Sequence, residues 1–235
     1  MDNMQSLGFI CAAASSVFWT LTYVLIIRRG HLDQRLGMPM IALAANLTWE
    51  CYFLVFSLHH GHFDVRLALL LPWCAFDFAI AYQCICYGRD DHSNPIVKKF
   101  YHIGILGILA LVSAVLIGFI QTFEDTIGWY TAYGQNLLMS ALFISMILRR
   151  DNLEGQSIYI AICKLMGTLF AFLLALGWSP DSLHAVWQQL IPDHYTPIAP
   201  FLVTLYCGVL ILDLIYVALI IHVGRRDGVK IWRHV

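Results

Sequence analysis

Asn46-Leu47-Thr48-Trp49-Glu50 lies in the middle of an apolar run from about Met38 to Leu58. The run is long enough to cross a bilayer as a helix, and it sets a carboxyl group near mid-depth. A charge there costs roughly 2.5 to 3.5 kcal/mol on insertion scales, so Glu50 is expected to face protein or a wet cavity rather than lipid. One stretch thus points both to the fold class and to the place where chemistry should be sought.

The rest of the chain repeats the pattern. Of its 235 residues, 60% are hydrophobic and only 12% charged, with a mean hydropathy of +0.71. That exceeds what a soluble core requires and indicates an all-α integral membrane protein. Seven apolar runs of about 20 residues occur at roughly 7–27, 38–58, 67–87, 101–121, 129–148, 157–178 and 200–222, which predicts seven transmembrane helices in a single domain, 1–235. The first run has no base before it and Arg28-Arg29 after it, the reverse of a secretory signal, so it is expected to stay as a helix.

The net charge of −1 points to no nucleic-acid partner, whereas the placement of the charges is informative. Arg28, Arg29 and Arg35, then Arg89, Lys98 and Lys99, then Arg149 and Arg150, then Arg225, Arg226, Lys230 and Arg233 fall in alternate loops on one side. Arg66 is on the other side and Lys164 is inside the sixth run. The positive-inside rule then puts the N-terminus outside and the C-terminus in the cytoplasm. The longest outer loop, Ser179 to Ala199, has four of the seven prolines in or beside it and is placed to cap a cavity.

Two short matches suggest an internal repeat. Arg28-Arg29-Gly30-His31-Leu32-Asp33 follows the first run and Arg149-Arg150-Asp151-Asn152-Leu153-Glu154 the fifth. Asp77, ten residues and Gly88-Arg89-Asp90-Asp91 likewise match Asp213, ten residues and Gly224-Arg225-Arg226-Asp227. A parallel 3+1+3 arrangement follows, with halves 1–95 and 125–235, in which Asp77 and Asp213 would be equivalent and face one cavity at the repeat interface.

Three acids lie deep in these runs. Asn46 and Glu50 share a face of the second helix, flanked by Trp49 and Phe53. Trp73 and Asp77 are four apart on the third, and Asp213 lines up with Tyr206 and Tyr216 on the seventh. The competing reading is that these acids only bind Asn46, Asn136, a tyrosine or Lys164 to hold helices together. With one intramembrane base for three acids, two acids lack a cationic partner, and burial is expected to keep them neutral. A neutral acid among aromatic rings is a proton donor.

Other polar groups receive structural readings. Lys164, about two turns from the cytoplasmic edge, is expected to snorkel to the interface. His59, His60 and His62 read as an interfacial loop rather than a metal site, and Asp90-Asp91-His92-Ser93-Asn94 as a solvated turn. Trp19, Trp129, Trp178 and Trp187 suit the interfacial belt. The seven cysteines all fall in apolar runs without a CxxC pair and read as small buried hydrophobes.

In its size, its seven helices, the Asn46-x-x-Trp49-Glu50 element and Asp213 followed by Tyr216, the sequence resembles the small integral-membrane terpene cyclases of fungal meroterpenoid and indole-diterpene pathways, which have bacterial relatives acting on prenylated aromatics or indoles. The resemblance implies redox-neutral cyclisation of a prenyl tail, begun by protonation of an alkene or epoxide, with no metal and no cofactor. It assigns proton delivery to Glu50 and the completion of the site to Asp213, with Asn46, Trp49, Phe53, Trp73, Asp77, Asn136, Tyr206 and Tyr216 in support. A farnesylated or geranylgeranylated substrate would enter from lipid, supplied by a prenyltransferase and an epoxidase. The expected membrane is the plasma membrane in a bacterium and the endoplasmic reticulum in a fungus. The Asp-x-Asp-Asp motif of soluble class II cyclases is absent from this chain.

The chemistry is consistent with those residues. Protonation needs an acid held neutral, a carbocation needs protection from water, and aromatic faces stabilise a moving cation. The principal alternative is a small-solute or proton-coupled transporter with a 3+1+3 repeat, although obvious Pro or Gly hinges are few. A receptor of the retinal type is disfavoured because the seventh helix has no lysine.

Overall fold

Seven α-helices carry the seven apolar runs in the computed structural model, which describes residues 3–61, 65–176 and 200–234. They are α1 (Asn3–Asp33), α2 (Met40–His59), α3 (Val65–Tyr87), α4 (Pro95–Thr122), α5 (Trp129–Arg150), α6 (Ile158–Leu176) and α7 (Pro200–Arg226), with short 3-10 turns at Gly88–Asp91 and Ile231–Arg233. All seven are long and apolar enough to cross a membrane. His62, Trp178, Trp187 and the loop 179–199 lie outside the described residues.

Local chemistry sets where the helices begin and end. Asn94 caps α4 by accepting from the Ile96 amide at 2.8 Å, and Pro95 follows with a backbone already suited to a first turn. That pair starts α4 six residues before the apolar run itself. Asp125 is fully buried and caps α5, accepting from the amide and the hydroxyl of Thr131 at 2.8 and 2.6 Å. Gly128, at φ +79°, turns the chain between them; a Cβ there would run into the Phe53 and Trp49 rings.

Six helices close into a ring in the order α1, α3, α2, α5, α7, α6, each packed on its two neighbours. α4 stands outside, mainly against α2, with only Tyr101 and Ile120 buried along its length. An all-round apolar helix with so little buried surface is suited to lipid on most of its faces. Exchanging α1, α2 and α3 for α5, α6 and α7 leaves the ring order unchanged, as a parallel repeat requires. The largest packed cluster joins α1, α2, α3, α5, α6 and α7 in the half of the bundle nearer the basic loops.

On that basic face the loops interlock. Arg150 pairs with Asp91, while Arg35 reaches Glu154 at 3.0 Å and Asp91 at 3.5 Å. Asp91 has 6% of its side chain exposed, so the reading of its segment as a solvated turn holds for Asp90, at 72%, and not for Asp91. The cysteine reading also needs amendment, since Cys86 and Cys207 are exposed and the Cys51 and Cys74 sulfurs face each other at 3.4 Å between α2 and α3.

Candidate active site

Two buried polar networks lie at the middle of the ring helices, one in each half. In the first, the 3.6-residue period of α2 puts Asn46 and Glu50 on the ring-facing side. Asp77 meets them from α3 and Tyr23 from α1. The Asn46 amide nitrogen is 3.0 Å from Glu50 Oε1 and 2.9 Å from Asp77 Oδ2. The Tyr23 hydroxyl donates to Glu50 Oε1 at 2.5 Å and lies 2.5 Å from the same amide.

An amide nitrogen has two hydrogens, and here three oxygens compete for them. Glu50 is 2% exposed and Asp77 fully buried, and no cation contacts either carboxyl among the described residues. Two negative charges so placed would each carry a desolvation cost of several kcal/mol without a compensating partner. The pair therefore holds at least one proton. The two carboxyls also lie within hydrogen-bond reach of each other, and no donor from another described residue reaches Glu50 Oε2 or Asp77 Oδ1.

Aromatic rings enclose this network. Tyr23 lies 6.4 Å from Trp73, 6.0 Å from Phe76 and 6.5 Å from Trp19, centroid to centroid. Trp73 donates its indole N–H to Thr20 at 3.0 Å, which pins α3 to α1.

The second network overturns one expectation. Lys164 does not snorkel: it is fully buried and its ammonium lies 2.6 Å from Asp213 Oδ1. Its other contacts are Ser140 Oγ at 2.6 Å and Asn136 Oδ1 at 3.0 Å, so all three N–H donors are used. The stem of α6 points into the ring, where a carboxylate was nearer than the interface. Asp77 and Asp213 accordingly occupy separate hydrogen-bond networks. Trp19 stands between them, its ring 5.8 Å from the Lys164 nitrogen and 6.5 Å from Tyr23. It is an interior residue and not part of an interfacial belt.

The remaining expected site residues divide by depth. Trp49 and Phe53 pack on each other nearer the non-basic end, where the Trp49 indole bonds Thr131 at 3.0 Å and the Gly128 carbonyl at 3.2 Å. Tyr206 is buried against Tyr133 and Phe172 in the same half, its hydroxyl without a hydrogen-bond partner among the described residues. Tyr216 instead donates to Gln156 near the basic end and so belongs to the floor of the bundle rather than to the acid beside it in sequence. Tyr23, Trp19 and Ser140 were not singled out from sequence. The four-residue spacing of Trp19 and Tyr23, which makes a single aromatic stripe on α1, was the available signal.

Cavities open to the surroundings include two among the described residues. One, of about 380 Å³, lies among the charged loops of the basic face. The other, of about 630 Å³, is an apolar groove between α2, α3 and α4, lined by Thr48, Cys51, Tyr52, Val55 and Phe78 among others. Neither is lined by Glu50, Asp77 or Asp213. All three carboxyl residues are buried, Glu50 with 2% of its surface exposed and Asp77 and Asp213 with none.

A buried acid pair that contacts no cation among the described residues thus lies beside an aromatic wall. In comparison with known proteins, the model of the Pyr4-like transmembrane terpene cyclases matches residues 2–226. The chain belongs to that family. It is 25% identical to the Pyr4-family terpene cyclase mfmH of Annulohypoxylon moriforme, over 92% of this chain and 86% of that one. It is 26% identical to the terpene cyclase cle7 of Aspergillus versicolor over 75% of each. With the terpene cyclase macJ of Penicillium terrestre it shares 24% over 92% of this chain and 81% of the relative. No solved structure matches the chain. The transporter alternative is thereby set aside, and the protein is a multi-pass membrane terpene cyclase.

Proposed function

We propose that this cyclase starts the reaction by proton transfer from the Glu50–Asp77 pair to a terminal alkene or epoxide of a prenyl tail borne on an aromatic or indole head. The supporting observation is that two buried carboxyls lie within hydrogen-bond reach of each other, share one amide and contact no cation among the described residues. Glu50 delivers the proton from Oε2 while Oε1 is held by Tyr23 and Asn46. Asp77 and Asn46 keep the remaining charge within the network. Trp19, Tyr23, Trp73 and Phe76 supply ring faces for the cation that follows. Proton transfer to carbon requires only a Brønsted acid, so neither a metal nor a cofactor has a step to perform.

The substrate class follows from the setting. A farnesylated or geranylgeranylated compound partitions into the bilayer and would reach the ring from lipid. A prenyltransferase must make it, and an epoxidase must act first where an epoxide is opened. In a fungal host the membrane is the endoplasmic reticulum, in a bacterial one the plasma membrane.

The test uses membranes bearing the full chain, incubated with farnesylated and geranylgeranylated aromatics and indoles, with and without a terminal epoxide, and mass spectrometry. The expected product has unchanged mass and shifted retention, and Glu50→Gln loses it by at least about a hundredfold, the low end of what a positioned acid contributes. Native product from Glu50→Gln at the wild-type rate would refute the assignment.

A further inference from the structure

The two networks occupy matching places and differ in charge. Asn46 lies nine residues after Gly37 and Lys164 nine residues after Gly155, each on the second helix of its half. Asp77 and Asp213, each on the third helix of its half, precede Gly88 and Gly224 by eleven residues. In one half an amide nitrogen lies 2.9 Å from the acid, and in the other an ammonium lies 2.6 Å from it. Among the described residues, one acid network therefore lacks a cation while the other is built around one.

We infer that Asp213, kept as a carboxylate by Lys164, is the base that takes the last proton of the cascade. This rests on the protonation-initiated reading above and departs from a shared role of Glu50 and Asp213 in initiation. Asp213 Oδ1 is occupied by Lys164 at 2.6 Å and Ser140 at 2.8 Å, whereas the buried Oδ2 has no hydrogen-bond partner among the described residues. A carboxylate beside an ammonium has no proton to give, but its open oxygen can accept one. The cation needs such an acceptor, because the interior excludes the water that would otherwise end the reaction.

The protons balance. One leaves the Glu50–Asp77 pair and forms a C–H bond, or the O–H bond of an opened epoxide. The π electrons of the prenyl tail close the rings and carry the cation onward. A C–H bond next to the final cation then breaks, its electrons form a C=C bond, and its proton goes to Asp213 Oδ2. Substrate and product have the same mass. The protein ends with one proton shifted from the first network to the second, and exchange with water after product release restores it. Lys164 is the positioning residue, and Asn136 orients it through its carbonyl oxygen at 3.0 Å while donating to Thr168 at 3.1 Å.

The experiment compares products from the same substrate panel for wild type, Asp213→Asn, Lys164→Gln and the double variant Lys164→Gln/Asp213→Asn. The double variant removes both charges together and leaves no lone buried ion, which keeps the comparison valid if a single variant fails to insert. The expected result is continued consumption of substrate with the native product reduced about a hundredfold and replaced by alkene isomers and water adducts. Lys164→Gln should shift the product ratio the same way, and Lys164→Arg should restore it. Native product in unchanged ratio from the double variant would overturn the inference, as would complete loss of consumption matching that of Glu50→Gln. An active Glu50→Gln enzyme would instead strike the initiation step, and the two failures are told apart by whether substrate is consumed.

Discussion

Glu50 Oε1 accepts from both Tyr23 and Asn46, and in the proposed initiation step that occupancy leaves Oε2 to present the proton. Tyr23→Phe keeps the ring packed on Trp73 and Phe76 and removes only the hydroxyl. A hydrogen bond contributes about 1 to 1.5 kcal/mol net, so turnover should fall about tenfold with insertion unchanged. Initial rates of product formation at saturating substrate check this, and a wild-type rate would reduce Tyr23 to packing. Asn46, Glu50 and Asp77 could be found in the sequence because a polar group in an apolar run has a cost that must be met. Tyr23, one of eleven tyrosines, has no charge to mark it, and its four-residue spacing from Trp19 was the weaker signal. Lys164 was visible, but its direction was not: a lysine two turns from an edge can reach either water or a carboxylate, and the choice depends on how α6 is rotated against α7.

α1 and α6 close the ring between the two halves, and they do so through small contacts. The Ser15 hydroxyl donates to the Gly167 carbonyl at 2.9 Å, and Phe18 stacks on Phe170 at 5.8 Å. A Cβ built on Gly167 would come within 2.9 Å of Trp19 Cδ1 and 3.0 Å of its nitrogen, so this glycine lets the indole lie flat against α6 between the two acid networks. Such close approaches through small residues are how membrane helices associate. Gly167→Ala must push Trp19 or the whole of α1 aside, at a cost of about 1 to 3 kcal/mol for overpacking. The expected outcome is a lower midpoint of thermal unfolding in detergent together with a changed product ratio; Trp19→Phe, which relieves the crowding, should recover the midpoint in the double variant. The face of α1 that meets α6 was illegible in sequence. That helix is apolar on nearly all sides, so no stripe distinguishes protein from lipid, and Trp19 was read by its place in the run rather than by its neighbours.

At the scale of the whole molecule, run length and base placement carried most of the fold. Seven runs became seven helices because backbone groups in lipid must bond within the segment. The repeat halves 1–95 and 125–235 remain our proposal. The ring order supports them, and so does the like pairing of a second-helix nitrogen with a third-helix acid in each half, Asn46 with Asp77 and Lys164 with Asp213, which the short sequence matches alone do not establish. Orientation is the part of this reading that packing leaves open, since a ring of helices folds identically either way up. The bases argue for one direction. Arg35, Arg89, Arg150 and Arg226 lie in loops or helix ends on one face, and three of those loops are tied by the Arg150–Asp91 and Arg35–Glu154 pairs. Moving that interlocked basic face across a bilayer during insertion would carry many positive charges, which is the origin of the positive-inside rule. The face bearing Asn152 should therefore be cytoplasmic and the turn bearing Glu124 should face the other way. Single cysteines introduced at Glu124 and Asn152, with the unmodified chain as background, should react with a membrane-impermeant maleimide from opposite sides of sealed vesicles. Labelling of both from the same side, or in the reverse sense, would invert the topology and place the basic cavity on the side away from the cytoplasm.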